Sequence, residues 1–158
     1  MERPARASAR DTAQTWESIF RTQVTLMRRL LADDIWGDLS MREYDVLFTL
    51  SGAPGGSLRL RDLNEAILMA QSSLSRMVER LEARGLVVRA PAPDDGRGTL
   101  VALTVEGARI QKELGRAHVR SIDHYVGGVL DAGEMATLRG LLDRLRAAQA
   151  DIPDHRDS

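Results

Sequence analysis

Apolar residues recur at steps of three and four along much of the chain, which is the period of helices with one buried face. The longest such stripe, at residues 15–35, predicts a first helix that Gly37 ends. Shorter stripes predict helices at about residues 41–50, 61–67 and 71–84. The residues expected to face inward in these three helices are Tyr44, Leu47, Phe48, Leu63, Ile67, Leu74, Met77, Val78 and Leu81.

Two apolar, β-branched runs at residues 86–90 and 99–104 flank an Asp-Gly sequence, which predicts a β-hairpin. Residues 58–60 form too short a run to classify. Two more helical stripes end near Val129 and Leu145. The predicted fold is mainly α with a small β-hairpin: a winged helix-turn-helix between long flanking helices.

Capping residues mark several of these boundaries. Residues 40–43, Ser-Met-Arg-Glu, read as a capping box at the start of the second helix, and residues 131–134 resemble one at the start of the last. Gly85 stands where a helix commonly ends with a glycine, and Thr104 can cap the helix that follows the hairpin.

Composition narrows the class of protein. The 158 residues carry a net charge of −1, so any anion-binding surface must be local. There is no cysteine, which excludes disulfides and thiolate metal sites. No stretch approaches the roughly 20 apolar residues of a membrane span, and the first residues lack the apolar segment of a secretory signal. We therefore expect a cytoplasmic protein with no membrane partner.

The helix at residues 71–84 is the candidate recognition helix. With Leu74 at the centre of its buried face, Ser72 and Arg76 lie on the opposite face and Ser73 and Ser75 on the flanks. Small hydroxyl side chains allow close approach to a DNA major groove, and arginine can bind guanine through two acceptors. The alternative is that the serines cap the helix and that Arg76 pairs with a glutamate further along it.

The hairpin tip favours DNA. Arg97 lies between Gly96 and Gly98, and Asp95 can orient its guanidinium. A wing beside a major-groove helix reaches the neighbouring minor groove, which is narrow and negative at A·T-rich sequence and attracts arginine. The alternative is an ordinary charged turn.

These motifs resemble the MarR family of transcriptional regulators. Asp95-Gly96-Arg97 with the run at residues 100–104 and Gly107 is similar to that family's wing signature, and residues 72–82 followed by Gly85 are similar to its recognition helix. The resemblance covers about residues 15–148. It implies an obligate homodimer on a pseudo-palindromic DNA operator, often repression, and often release by a small anionic or phenolic ligand.

Long apolar stripes on the first and the last two helices support a dimer independently, because the small central domain cannot cover all three. An extended bundle within one chain is the alternative. The expected segments are a disordered tail at residues 1–14, a dimerisation helix at 15–39, the DNA-binding domain at 40–104, dimerisation helices at 105–150 and a polar tail at 151–158.

A urate-responsive subgroup of the family suggests a ligand. Asp45, Arg76 and Arg89 match that subgroup's acidic and basic positions, and Trp16 is a counterpart of its N-terminal tryptophan. The resemblance implies that an anion near either arginine competes with Asp45 and tilts the recognition helix. Asp45 paired with an arginine as a purely structural ion pair is the alternative.

Other functions have little support. The three histidines lie in the last third of the chain, and neither a Gly-rich phosphate loop nor an HExxH motif is present. We expect no enzyme, no cofactor and no metal site. A winged helix that binds protein, or a DNA-binding regulator without a ligand, stays open. Salt discriminates the first of these, because DNA binding weakens steeply as salt rises.

Overall fold

The computed structural model describes residues 7–67, 69–92 and 98–154. The chain divides into two compact units, Met1–Val119 and Arg120–Ser158. The predicted mainly α fold with a small β-sheet is confirmed. Its helices and strands are α1 (Ala9–Ala32), α2 (Met41–Gly52), β1 (Ser57–Arg59), α3 (Leu60–Ala66), α4 (Gln71–Ala83), β2 (Val87–Pro91), β3 (Thr99–Leu103), α5 (Val105–Ile122) and α6 (Ala132–Ala147).

The first helix begins earlier than predicted. Ser8 caps α1 by accepting a hydrogen bond from the backbone N–H of Asp11 at 3.1 Å. This cap satisfies one of the free amides at the helix start. Residues 9–14 are therefore helical, and the expected disordered tail cannot extend through them.

The first helix also ends earlier than predicted, at Ala32 and not at Gly37. Trp36 lies in the connection that follows and is buried. Its indole N–H donates to the backbone carbonyl of Leu30 at 3.2 Å. The indole thus holds the connection against the last turn of α1, an interaction that the helical period does not reveal.

Helix α2 begins with the predicted capping box. The Ser40 hydroxyl accepts from the N–H of Glu43 at 3.2 Å, and the Glu43 carboxylate accepts from the N–H of Ser40 at 2.9 Å. The prediction that Phe48 is buried is wrong: this residue is 54% exposed, whereas Val46 is fully buried. Because α2 contacts both β1 and β3 as well as α3, its inner face is turned toward the sheet.

The helix-turn-helix consists of α3 and α4, and its predicted inward face is confirmed. Leu63 and Ile67 of the first helix and its turn are buried, as is the stripe of α4. These side chains join one core with α2 and the sheet. The core residues are Leu39, Val46, Leu47, Leu50, Leu63, Ile67, Leu74, Met77, Val78, Leu81, Leu86, Val87 and Val101.

The predicted hairpin is confirmed as β2 and β3, and a third strand joins it. The antiparallel sheet has the order β1-β3-β2, in which Leu58 pairs with Val101 and Arg89 pairs with the same residue from the other side. The run at residues 58–60, which the sequence left unclassified, thus supplies most of β1. The strand brings the start of α3 to the base of the wing.

The junction between α4, the wing and α5 is tightly held. Gly85 has φ of 72°, a conformation that favours glycine, and so ends α4 as predicted. Thr104 caps α5, also as predicted: its hydroxyl accepts from the N–H of Gly107 at 2.9 Å and donates to the carbonyl of Gly85 at 2.7 Å. One hydroxyl therefore ties the ends of α4 and β3 to the start of α5.

The C-terminal part differs from prediction in one respect. The helix expected to run to Val129 ends as α5 at Ile122, and one turn of π-helix, Asp123–Gly127, follows. The predicted capping box at the start of α6 is confirmed, with Asp131 accepting from the N–H of Glu134 at 2.9 Å. No residue of α6 is buried in the described structure.

We predict that replacing Gly107 by alanine destabilises the fold. A Cβ at Gly107 would overlap the backbone carbonyl of Leu86 and lie 3.0 Å from the side chain of Leu103. Because the overlapping atom is backbone, the wing base must shift, at a cost of about 1–3 kcal/mol. Urea unfolding measures this cost. Gly52→Ala is the matched control, since a Cβ there meets nothing within 4 Å; equal stability of the two variants would contradict the prediction.

Candidate DNA-binding surface

The exposed face of α4 carries the predicted polar residues. Ser72, Ser73 and Arg76 are exposed, and Ser75 is half-buried on the flank. The buried stripe on the opposite face is the predicted one. The helix therefore presents two serines and an arginine in its first two turns, where a helix inserted into a major groove contacts base edges.

The serines do not cap the helix. The residue at the N-cap is Ala70, which offers no side-chain acceptor, and its carbonyl accepts from the N–H groups of Ser73 and Leu74. The alternative in which the serines serve only as caps is thus not what the structure shows. The positive end of the helix dipole has no acidic residue in its first turn, which suits a phosphate.

Arg76 has no ion pair within the described part of the chain. The glutamates that were its alternative partners, Glu79 and Glu82, bind Arg89 of the wing strand β2. The alternative in which Arg76 pairs with a glutamate of its own helix is therefore not observed. The guanidinium of Arg76 is exposed and available to an external anion or base.

The wing strand is joined to the recognition helix by these same carboxylates. Glu82 accepts from both the backbone N–H and the Nε of Arg89, at 2.8 and 2.7 Å, and Glu79 accepts from Nη1 at 3.3 Å. The two hydrogen bonds from Arg89 hold the pKa of Glu82 below its usual range. We call this set of bonds from Arg89 to Glu82 and Glu79 the clamp. It was not predicted from the sequence, although two glutamates and an arginine on either side of a chain reversal could have indicated it.

Two further contacts hold the end of α4, one to the α1–α2 connection and one to the first turn of α2. Arg84 donates from Nη1 to the backbone carbonyl of Asp38 at 2.9 Å. The Nε of Arg80 lies 3.6 Å from the carboxylate of Glu43, the residue that completes the capping box of α2. The recognition helix is thus fixed by polar contacts at its C-terminal half and left uncovered at its N-terminal half.

The predicted wing-tip residues Asp95 and Arg97 lie outside the described residues. The strands that lead to them are well defined: Pro91 pairs with Thr99, and the N–H of Ala92 donates to the carbonyl of Gly98 at 2.8 Å. Pairing therefore continues along the whole described length of the hairpin.

A cluster of aromatic rings joins the α1–α2 connection, α2 and α5. The ring of His118 is 5.0 Å from that of Trp36 and 5.5 Å from that of Tyr44. Burial lowers the pKa of His118, and the charges of Asp33 and Asp45 oppose the shift. Burial raises the pKa of Asp45, which His118 opposes. The histidine is therefore neutral near pH 7 and packs as an aromatic residue.

The four residues suggested as a ligand site have separate surroundings. Trp16 is 65% exposed and stacks on Phe20 at 6.1 Å. Asp45 faces His118, and Arg89 is bound by the recognition helix. In the described part of the chain, no ion pair, hydrogen bond or ring contact joins any two of Trp16, Asp45, Arg76 and Arg89. The expected pairing of Asp45 with either arginine is not observed.

The described residues show no grouping of three or more histidines, aspartates or glutamates that could hold a metal ion. Nor does any helix among them combine the length and apolar character needed to cross a membrane.

Two helices in tandem, a wing fixed to the second of them and an uncovered polar helix start together define a DNA-binding protein of the winged helix-turn-helix class. The sequence model of the MarR family matches residues 37–98. The multiple antibiotic resistance protein MarR of Salmonella typhimurium is 31% identical over 108 residues, which are 68% of this chain and 74% of that protein. The chain belongs to the MarR family of transcriptional regulators, and such regulators are not enzymes.

The fold of the chain is also similar to those of two transcriptional regulators of known structure. The chain resembles Sco3205 of Streptomyces coelicolor, a MarR family regulator solved in complex with DNA, at a TM-score of 0.73 and 26% identity, covering 94% of this chain and 92% of that one. It also resembles the regulator PcaV of the same organism, solved with its natural ligand, at a TM-score of 0.62 and 26% identity, covering 93% and 99%.

The uncapped start of α4 allows an N-cap side chain to be introduced at Ala70. Ala70→Asp should stabilise the fold by about 0.5–2 kcal/mol, because aspartate is a good N-cap and favours the positive helix end. The same variant should weaken DNA binding, because a carboxylate there repels phosphate. Ala70→Ser is the neutral control and should stabilise with little loss of binding. Thermal unfolding and fluorescence anisotropy with labelled DNA measure the two effects; equal binding by both variants would contradict a phosphate at this helix end.

Proposed function

We propose that the protein is a homodimeric, sequence-specific repressor that binds a pseudo-palindromic operator and is released by a small anionic or phenolic ligand. The observation that carries the proposal is the exposed face of α4 with Ser72, Ser73 and Arg76, on a helix that Glu82 joins to the wing strand β2 through Arg89. In this proposal Ser75 also contacts the major groove, and Arg97, oriented by Asp95, enters the flanking minor groove.

The exposed apolar side chains support the dimer. Trp16, Phe20 and Val24 leave a stripe uncovered on α1. Full burial of each large apolar side chain stabilises by roughly 1.5–3 kcal/mol, so contact with a second chain gives a large favourable free energy. The last helices also expose large apolar side chains, among them Val119, Ile122, Leu138, Leu141, Leu142 and Leu145. A two-fold dimer would place two α4 helices about one DNA turn apart, roughly 34 Å.

The operator is found by footprinting the DNA next to the protein's own gene. On that DNA, Arg97→Ala and Arg76→Ala should each weaken binding by about 1–3 kcal/mol, because each removes a groove contact. Both variants should remain dimers in sedimentation. Arg146→Ala is the control, since Arg146 is exposed and pairs with Asp143 on α6.

Affinity should also fall steeply as salt rises. A monomeric parent protein, or unchanged binding by Arg97→Ala, would contradict the proposed arrangement. Binding that is insensitive to salt would favour the alternative of a protein-interaction module.

The ligand is proposed to act near Trp16, Asp45, Arg76 and Arg89. Two observations support it: Arg76 is uncommitted among the described residues, and PcaV, a family member of known structure, binds a ligand. Since Arg89 is already clamped, an anion must either displace a glutamate from it or bind Arg76 alone.

We expect urate or benzoate to release the operator complex, because each brings an anionic group to a basic site that must also serve DNA. Benzyl alcohol, a neutral aromatic of similar size, should not release it. Fluorescence anisotropy of labelled operator measures the release. Tryptophan quenching that persists in Trp36→Phe and vanishes in Trp16→Phe would place the ligand at α1. No release by either anion would favour a regulator without a ligand.

A further inference from the structure

The outer part of the wing strand has little apolar packing to fix its direction. Of the five residues of β2, only Val87 at its base is buried, and Val88 is 50% exposed. The hydrophobic core therefore anchors the base of the wing and leaves residues 88–91 without a buried apolar anchor on that strand. Pairing with β3 and the buried Ala92 hold the hairpin together, and a contact with α4 can fix its direction relative to that helix.

The clamp between Glu82 and Arg89 is placed to do this. One carboxylate accepts a main-chain N–H and a side-chain N–H of the same residue, at 2.8 and 2.7 Å. The main-chain bond fixes the strand itself, and the planar guanidinium fixes the direction in which its side chain leaves the strand. Glu79 holds the far side of that guanidinium at 3.3 Å, one helical turn earlier.

The clamp also cancels charge at the same place. Glu79 and Glu82 lie on the recognition helix, where two free carboxylates would repel DNA phosphates. The guanidinium of Arg89 lies between them and offsets part of that repulsion. Arg89 can therefore matter through its position or through its charge. The two explanations predict different results for Arg89→Lys, which retains the charge and loses the planar fork.

We propose that Glu82 and Arg89 are positioning residues that set the angle between the recognition helix and the wing, so that both grooves of the operator are bound at once. This inference rests on the proposed DNA-binding function. It assigns Arg89 the role of holding the wing while the protein is bound to DNA.

The test uses the full-length protein on its operator with two footprints. Dimethyl sulfate reports protection of guanine N7 in the major groove, and hydroxyl radicals report protection of the flanking minor grooves. Arg89→Lys should keep the major-groove protection and lose the minor-groove protection, with an overall loss of affinity of about tenfold. Glu82→Gln should do the same, because the amide retains one acceptor and loses the second bond and the charge.

The control is Arg109→Lys. Arg109 likewise bridges two glutamates, Glu106 and Glu113, at 2.8 and 2.9 Å, but all three lie on α5. This variant should leave both footprints unchanged. Thermal unfolding should be the same for all three variants as for the parent protein.

The outcomes distinguish a failure of the proposed DNA-binding function from a failure of the positioning role. If the parent protein protects no DNA, the proposed function fails. If the parent binds and Arg89→Lys gives the parent's footprints, the positioning role is overturned and charge is sufficient. Uniform weakening in both grooves would also overturn it, since a lost wing angle affects only the flanks.

Discussion

The recognition helix can offer a polar face only because its opposite face is sealed into the core. Leu74, Val78 and Leu81 have no exposed surface, and burial of each such side chain contributes roughly 1.5–3 kcal/mol. The helix has few local supports, since it has 13 residues and no side-chain cap at its start. Val87 of β2 and Val101 of β3 belong to the same core. The recognition helix and the base of the wing are thus held in place by the same hydrophobic core.

The parts of the fold that depend on neighbouring residues were predictable from the sequence. The capping boxes at Ser40 and Asp131, the glycine end of α4 and the Thr104 cap each depend on residues close in the chain, and all are confirmed. The buried stripe of α4 was also predicted, because a 3.6-residue period identifies one face without reference to any partner.

The errors arose where a distant segment decides the structure. Strand β1 has three residues and exists because β3 pairs with it. Val46 is buried and Phe48 is exposed, and α2 packs against both the sheet and α3, which lie far from it in the sequence or on another element. The end of α1 depends on the indole of Trp36. None of these contacts leaves a periodic pattern in the local sequence.

The same distinction applies to the candidate site. The exposure of Ser72 and Arg76 follows from the helical period alone and was predicted, and Ser73, which was expected on a flank, is exposed as well. The partner of Arg89 was not predicted, because its glutamates are on another element and the resemblance pointed to Asp45. Arg89 of the wing strand thus binds both glutamates of the recognition helix, while Arg76 on that helix has no ion pair in the described part of the chain.

The bond from Arg89 to Glu82 has a consequence for self-association. The sheet order leaves β1 and β2 as its two borders, and a border strand with free amides invites another chain to pair with it. On β2 the outward amide at residue 89 is already occupied by a helix side chain, and Pro91 has none. On β1 the border is only three residues long. Among the described residues, neither border therefore offers a long run of free amides, which disfavours pairing between the sheets of two copies.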